Sequence, residues 1–313
     1  MSTATTPAPA LVRRALRRRR ADWKGRLFEG ALLGTLLVSL LILLTLLTEV
    51  VRGSTAVFAE RSVGDFIASQ LSANPEVAGV RQALLGSLYL MIFTALISFP
   101  LGIGAAIYLE EYAADTRFTR LVNSNIRNLA GVPSIVYGLL GLSLFVKAAG
   151  ALTGPQVEGR SVISGGLTLG ILVLPIVIIV TAEALRAVPE TIREAAFGVG
   201  ATPWQAIRHH VLPVAAPGIF TGIILSLGRA FGEAAPLLMV GGITTFFSSG
   251  GAGWFEQLRG RFSALPVIIF RWASLPQEDF RHLTSAAIVV ILVLLLAVNA
   301  TAIILRNRYE REG

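Results

Sequence analysis

The run GALLGTLLVSLLILLTLLTEVV, Gly30 to Val51, decides the class of this protein: it carries one charge, Glu49, in a stretch long enough to cross a bilayer. About 20 residues of helix span the hydrocarbon core. Lipid offers backbone N–H and C=O groups no partner, so such a run must close its own hydrogen bonds as helix. Five further stretches share this character: Ala83–Leu109, Asn128–Val146, Val162–Thr181, Ala215–Val240 and Thr284–Leu305. None shows the short alternating segments of a membrane β-barrel. The sequence predicts an all-α integral membrane protein with six transmembrane helices.

The rest of the chain agrees. Of 313 residues, 54% are hydrophobic and 15% charged, against about 25% charged in soluble domains, and the mean hydropathy is +0.69. With no cysteine, disulfides, thiolate metal sites and cysteine nucleophiles are excluded. His209 and His210 are adjacent and point about 100° apart on a helix, and His282 stands alone, so no metal or cofactor is indicated. The only lysines, Lys24 and Lys147, are followed by Gly25 and Ala148. Neither completes the phosphate-cradling GxxxxGK loop with its Ser or Thr. The chain is therefore not expected to be an enzyme, and any ATP that drives it is hydrolysed by another chain.

The formal net charge is +8, with 27 Lys and Arg. Eight precede the first span: Arg13, Arg14, Arg17, Arg18, Arg19, Arg20, Lys24 and Arg26. Placing them in the cytoplasm puts the loops at 110–127 and 182–214 and the end at 306–313 there too, which gathers 17 of the 27 on one side. That is the positive-inside bias, with both termini cytoplasmic. Residues 1–29 read as a disordered basic tail, its first twelve rich in Ser, Thr, Ala and Pro. The arginines are read as a topology anchor rather than a ligand for nucleic acid or anionic lipid. The apolar run that follows exceeds the roughly 7–15 residues of a cleaved signal peptide.

The most informative segment is the cytoplasmic loop Glu183–Pro213, EALRAVPETIREAAFGVGATPWQAIRHHVLP. Pro189 suits a first helical turn, and Gly200 suits the left-handed turn that ends a helix. Thr202, with Pro203 next and Gln205 three on, has capping-box spacing. The loop reads as two short helices hinged at Gly200, the second closed by Pro213, with Trp204 as an apolar knob free to dock.

Its order of Glu194, Ala195, Ala196, then Gly200, then Leu212 and Pro213 resembles the EAA motif of ABC-importer permeases, except that the family's hydrophobic position two before the Leu is His210. The resemblance implies that these six residues couple the permease to an ATP-binding subunit.

Span 5 holds GRAFGEAAPLLMV, Gly228 to Val240. Arg229 and Glu233 stand four apart, one helical turn on one face. A mid-membrane Arg costs at least roughly 2.5–3.5 kcal/mol, which makes it a functional candidate by default. Two readings stand: the pair neutralises itself and knits the bundle, or Arg229 is a forked donor for an oxyanion that Glu233 holds until the anion competes. Gly228 and Gly232 leave a flat strip beside them, and Pro236 is expected to kink the helix above. In the Gly-rich span 3, Ser134 and Tyr137 are candidate hydroxyls for the same anion, or simply packing residues.

RAFGEAAPLL, together with PLGIGAAIYLEEY (Pro100–Tyr112) and GVPSIVYGL (Gly131–Leu139), resembles phosphate-importer permeases of the Pst type. The outer segment FSALPVIIFRWASLPQEDF, Phe262–Phe280, is similar to their A-type rather than C-type subunit. The likeness covers about residues 80–305. It implies a type I ABC-importer permease core in a bacterial inner membrane. The implied partners are a second homologous permease, an ATP-binding subunit dimer and an extracytoplasmic phosphate-binding protein met through Phe270 and Trp272. Relatives with a basic residue late in span 4 differ from Ile178, Ile179 and Val180 here, which leaves further pathway charge to the partner permease. The alternatives are a C-type subunit, another oxyanion such as sulfate or molybdate, or an ion-coupled secondary carrier, which would need no ATPase dock.

Overall fold

The computed structural model describes residues 23–148, 150, 158–242 and 258–312; the tail before Trp23 lies outside them. No strand occurs among the described residues. By packing, the chain divides into one unit ending at Arg52 and another from Gly53 onward.

Helix α1, Trp23–Glu60, carries the first unit and passes into the second; it opens inside the stretch expected to be tail. Its leucines, such as Leu36 and Leu43, are exposed, as a lipid-facing surface requires. Thr35, Ser39 and Thr45 each donate a hydroxyl proton to the carbonyl four residues back, at 2.8–2.9 Å. Their polar hydrogens are thereby withdrawn from hydrocarbon.

The second unit continues with α2 (Val63–Ala68), then α3 (Arg81–Ile107) extended by a π turn at Tyr108–Tyr112. Next come α4 (Arg117–Ala130) and α5 (Ser134–Gly141), the latter extended by a π turn at Leu142–Val146. Helix α6 is Val162–Arg186 and α7 is Glu190–Gly198; α8, Pro203–Ala206, runs through a π turn at Ile207–Val211 into α9, Leu212–Gly232. Helices α10 (Ala235–Val240), α11 (Leu265–Ala273) and α12 (Glu278–Glu312) complete the unit.

Helix α6 is the centre: 61% of its most apolar stretch is buried, against 11% for α12. Lipid tails are as apolar as leucine, so helices in a membrane associate through close packing and hydrogen bonds rather than hydrophobicity. On α3 the small residues Thr94, Ser98, Gly102 and Ala106 recur every four residues and are all buried. The Thr94 hydroxyl donates to the Gly166 carbonyl at 3.3 Å and that of Ser98 to Gly170 at 3.1 Å. A Cβ on Gly102 would stand 2.6 Å from Val177 of α6. This face, which the apolar reading of Ala83–Leu109 does not distinguish, locks α3 and α6 into one body.

Two expected spans are broken. Helices α4 and α5 meet at a bend of 100°, over Gly131–Pro133, where the proline lacks an N–H and forces its predecessor out of the helical region. Ser134–Val146 alone runs roughly 20 Å as helix, short of the roughly 30 Å core. Among the described residues, five helices are long and apolar enough by themselves to cross, and the number is six if the bent pair counts as one span. In span 5, α9 ends at Gly232 and Glu233 is extended (φ −81°, ψ 113°). The break precedes Pro236, which falls in the first turn of α10, where a missing N–H is harmless.

The loop's second helix also departs from expectation. Pro213 does not close it; the π turn at Ile207–Val211 carries α8 into α9. A widened turn is one of the ways a helix accommodates a residue that cannot donate to the turn before it.

Candidate functional site

The loop at 183–213 is built as the spacing predicts around Gly200. Helix α7 ends with the Gly200 N–H on the Phe197 carbonyl at 2.9 Å and the Ala201 N–H on that of Ala196 at 3.0 Å. This double bond is the Schellman ending, and it requires the left-handed residue that Gly200 provides at φ +84°. The interval from Ala196 to Gly200 is thus the interval from the accepting carbonyl to the left-handed turn. The capping box also forms: Thr202 accepts from the Gln205 N–H at 3.4 Å, and the Gln205 side-chain oxygen accepts from the Thr202 N–H at 2.9 Å.

Of the six loop residues singled out, Ala196 is buried and Leu212 half-buried, while Glu194, Ala195, Gly200 and Pro213 are exposed. Phe197, Val199 and Trp204 form an exposed apolar group around Gly200, with Val199 84% exposed. His209 and His210 are exposed.

Beneath that surface the structure brings together residues that the sequence reading leaves apart. Arg186, last in α6, presents Nε to Glu110 Oε2 at 2.7 Å and Nη2 to Oε1 of the same carboxylate. Arg193 of α7 grips Glu111 in the same forked way, at 3.2 and 2.7 Å. Its remaining N–H groups reach the Leu185 and Val188 carbonyls at 3.0 Å each and Glu190 Oε2 at 3.4 Å. Both guanidinium pKa values rise above the ordinary arginine value, chiefly through these hydrogen bonds to carboxylate. The Glu-Glu-Tyr end of one motif and the arginines flanking Pro189 were visible in the sequence, but the pairing spans 76 and 82 residues, which no periodicity reveals.

The second region lies at the break in span 5. Arg229 sits in the last turn of α9, where a cation is favoured by the helix dipole. Its Nε is 3.5 Å from Glu233 Oε1, and the side chains are 47% and 18% exposed. The pair is brought together as expected, but by an extended residue beyond the helix end rather than by one helical face. Among the described residues, Arg229 makes no hydrogen bond. Beside it, a Cβ on Gly232 would meet nothing within 4 Å, and one on Gly228 would meet only Leu295 at 3.7 Å.

Tyr137 is buried with Leu172, Val173 and Ala230, the residue next to Arg229, within electrostatic range of that arginine. Its hydroxyl proton, however, goes to the Leu129 carbonyl at 2.8 Å across the α4–α5 bend. Ser134, half-buried, opens α5; among the described residues it bonds neither Arg229 nor Glu233. In the outer segment, Trp272 is buried, its ring 6.0 Å from that of Phe280. The expectation that Trp272 meets a partner is corrected: only Phe270 of the two is exposed, because Trp272 fills the core between α11 and α12.

Residues 98–311 match the family described as binding-protein-dependent transport system inner membrane component. The chain is 34% identical over 232 residues to the phosphate transport system permease protein PstA of Xylella fastidiosa (strain Temecula1), covering 74% of this chain and 76% of that one. It is 38% identical over 180 residues to the probable ABC transporter permease protein YqgI of Bacillus subtilis (strain 168), covering 58% of this chain and 59% of the relative. Among solved structures it resembles, with a TM-score of 0.55 at 17% identity, a chain of a bacterial alginate ABC transporter in complex with an alginate pentasaccharide-bound periplasmic protein. That similarity covers 90% of this chain and 95% of the other and concerns the fold alone. The family match over most of the chain, the PstA relatives and the broken-helix core agree: the chain belongs to the inner-membrane permease components of binding-protein-dependent ABC importers, among the PstA-type permeases.

Proposed function

We propose that this protein is the A-type permease of an ATP-driven importer that moves inorganic phosphate into the cytoplasm by alternating access. The observation that carries the substrate is Arg229: a half-exposed guanidinium beside a helix break, held by one glutamate at 3.5 Å and by no hydrogen bond among the described residues. Phosphate oxyanions match a guanidinium's fork with two parallel charge-assisted bonds, and the open strip at Gly232 leaves room for an anion to approach. Glu233 keeps the arginine aimed until an anion competes for it. Ser134 stands as a second polar contact; Tyr137 offers its ring and oxygen but not its proton.

The loop from Glu183 to Pro213 is the dock for an ATP-binding subunit dimer, with Glu194, Ala195, Ala196, Gly200, Leu212 and Pro213 setting its shape. A second homologous permease completes the pathway, and a phosphate-binding protein delivers the anion from outside. The named PstA relative, and the solved neighbour's periplasmic protein, support this assembly. The arginine bias places both termini in the cytoplasm.

The complex reconstituted in proteoliposomes should import radiolabelled phosphate when ATP is supplied and the membrane gradient collapsed. Excess sulfate should leave that uptake intact. Strong competition by sulfate would replace phosphate with another oxyanion, and uptake that follows the gradient without ATP would overturn the importer reading.

A further inference from the structure

We infer that Arg193 and Glu111, assisted by Arg186 and Glu110, are positioning residues that transmit the movement of the docking loop into the membrane helices α3 and α6. This rests on the reading of Glu183–Pro213 as the ATPase dock.

A guanidinium has five N–H donors in a rigid fork, and all five of Arg193 are engaged. Two hold the Glu111 carboxylate, one each holds the Leu185 and Val188 carbonyls, and one holds Glu190. Leu185 lies in the last turn of α6 and Val188 just beyond it. Carbonyls at such a helix end lack the ordinary partner four residues on; that of Leu185 otherwise accepts from the Val188 N–H at 3.3 Å. Arg193 therefore ties three things at one point: α7, which carries it; the end of α6; and, through Glu111, the π turn that extends α3. Arg186 repeats the α6–α3 tie one residue over.

The tie acts on a unit that is already stiff. Helices α3 and α6 are joined along Thr94, Ser98 and Gly102, so a displacement delivered at Glu111 is carried by both. Helix α9, by contrast, follows α7 through the left-handed Gly200 and the turn Pro203–Val211, and shares with it the apolar packing of Ile192, Val211, Ala215 and Ile219. The tie stands between an apolar cluster that includes Ala106, Leu185, Val188 and Val211 and an open cavity. A cavity of about 620 Å³ is lined by Glu110, Glu111, Arg186, Arg193, Phe197 and Val211 among others. A forked arginine–carboxylate pair fixes orientation as well as distance.

Glu111→Gln and Arg193→Gln, each in the complete reconstituted complex, test the inference through the number of phosphates imported per ATP hydrolysed. We expect that ratio to fall about tenfold, within the usual range of a coupling free energy. The chain has no cysteine, so Glu111→Cys with Arg193→Cys can be bridged by a short bifunctional thiol reagent, and bridging should restore most of the ratio. An unchanged ratio in both glutamine variants, or no recovery on bridging, overturns the inference. If the unmodified complex shows no ATP-dependent uptake, it is the importer reading that fails. The tie is then read by amide hydrogen exchange, where Glu111→Gln must loosen residues 190–198; unchanged protection overturns it.

Discussion

Arg193 and Arg229 each stand beside a glutamate, yet they are bonded in opposite ways. Arg193 is 15% exposed and uses every N–H it has, on two carboxylates and two backbone carbonyls. Arg229 is 47% exposed and meets one carboxylate at 3.5 Å. A saturated guanidinium is a strut: it has no donor left for a ligand, and its removal strands a buried carboxylate. An unsaturated one keeps donors that a ligand can use, which is why Arg229 is proposed as the anion contact. The same two residue types, 36 residues apart in sequence, are thus distinguished by the number of acceptors that the fold places around them, and the proposed mechanical and chemical roles follow that number.

The sharpest way to break this contrast is to truncate the strut. Arg193→Ala leaves Glu111, whose side chain is 8% exposed, without its partner, and removal of one member of a buried pair costs about 3–5 kcal/mol. Thermal unfolding of the detergent-purified chain should fall accordingly, and a loss no larger than that of a surface pair would end the distinction. Arg229→Ala should do the reverse. Uptake should fall about 100-fold, the worth of roughly two charge-assisted bonds, while the complex still assembles and unfolds near the unmodified temperature. Failure to assemble would make Arg229 a second strut.

Smaller changes sharpen the picture. Gly200→Ala puts a Cβ on a left-handed residue, a strain of about 1–2 kcal/mol, which should lower thermal stability and loosen the amide of Ala201 in hydrogen exchange. At the bottom of the scale, Arg186→Ala removes a pair whose arginine is half exposed. Solvent screening holds such pairs to about 1 kcal/mol or less. Unfolding measured beside Arg193→Ala should show the difference between the two neighbouring ties.

Much of the fold was legible because lipid leaves so few choices. Gly30–Val51 reads as a span from composition alone, and Thr202, Gln205 and Gly200 read as caps because helix ends have orphan groups that few residues satisfy. Span 5 was legible as an ion pair and not as a shape. The Arg229–Glu233 spacing suggested one helical face, whereas the chain leaves the helix at Gly232 and reaches the same proximity through an extended Glu233. Trp272 shows the opposite failure: an aromatic in the segment Phe262–Phe280 looked available, but α11 folds back on α12 and sets its ring against Phe280, in a cluster with the distant Val57, Phe66 and Val80. The stripe of Thr94, Ser98, Gly102 and Ala106 was in plain view, but in a stretch already read as a span it was masked by the leucines and isoleucines around it.

The sequence by itself determined that this chain has helices fit to cross a membrane, how its arginines are biased along the chain, and that one loop has the caps of a helical hairpin. Each of these follows from local chemistry: the backbone's need for hydrogen bonds in lipid, the charge bias between the two faces, the conformational freedom of glycine. Only the tertiary structure decided which arginine is spent and which is available. That depends on acceptors supplied from elsewhere in the chain, such as Glu111 and the Val188 carbonyl to Arg193, and a guanidinium's capacity to bind a ligand is what remains after those bonds are made.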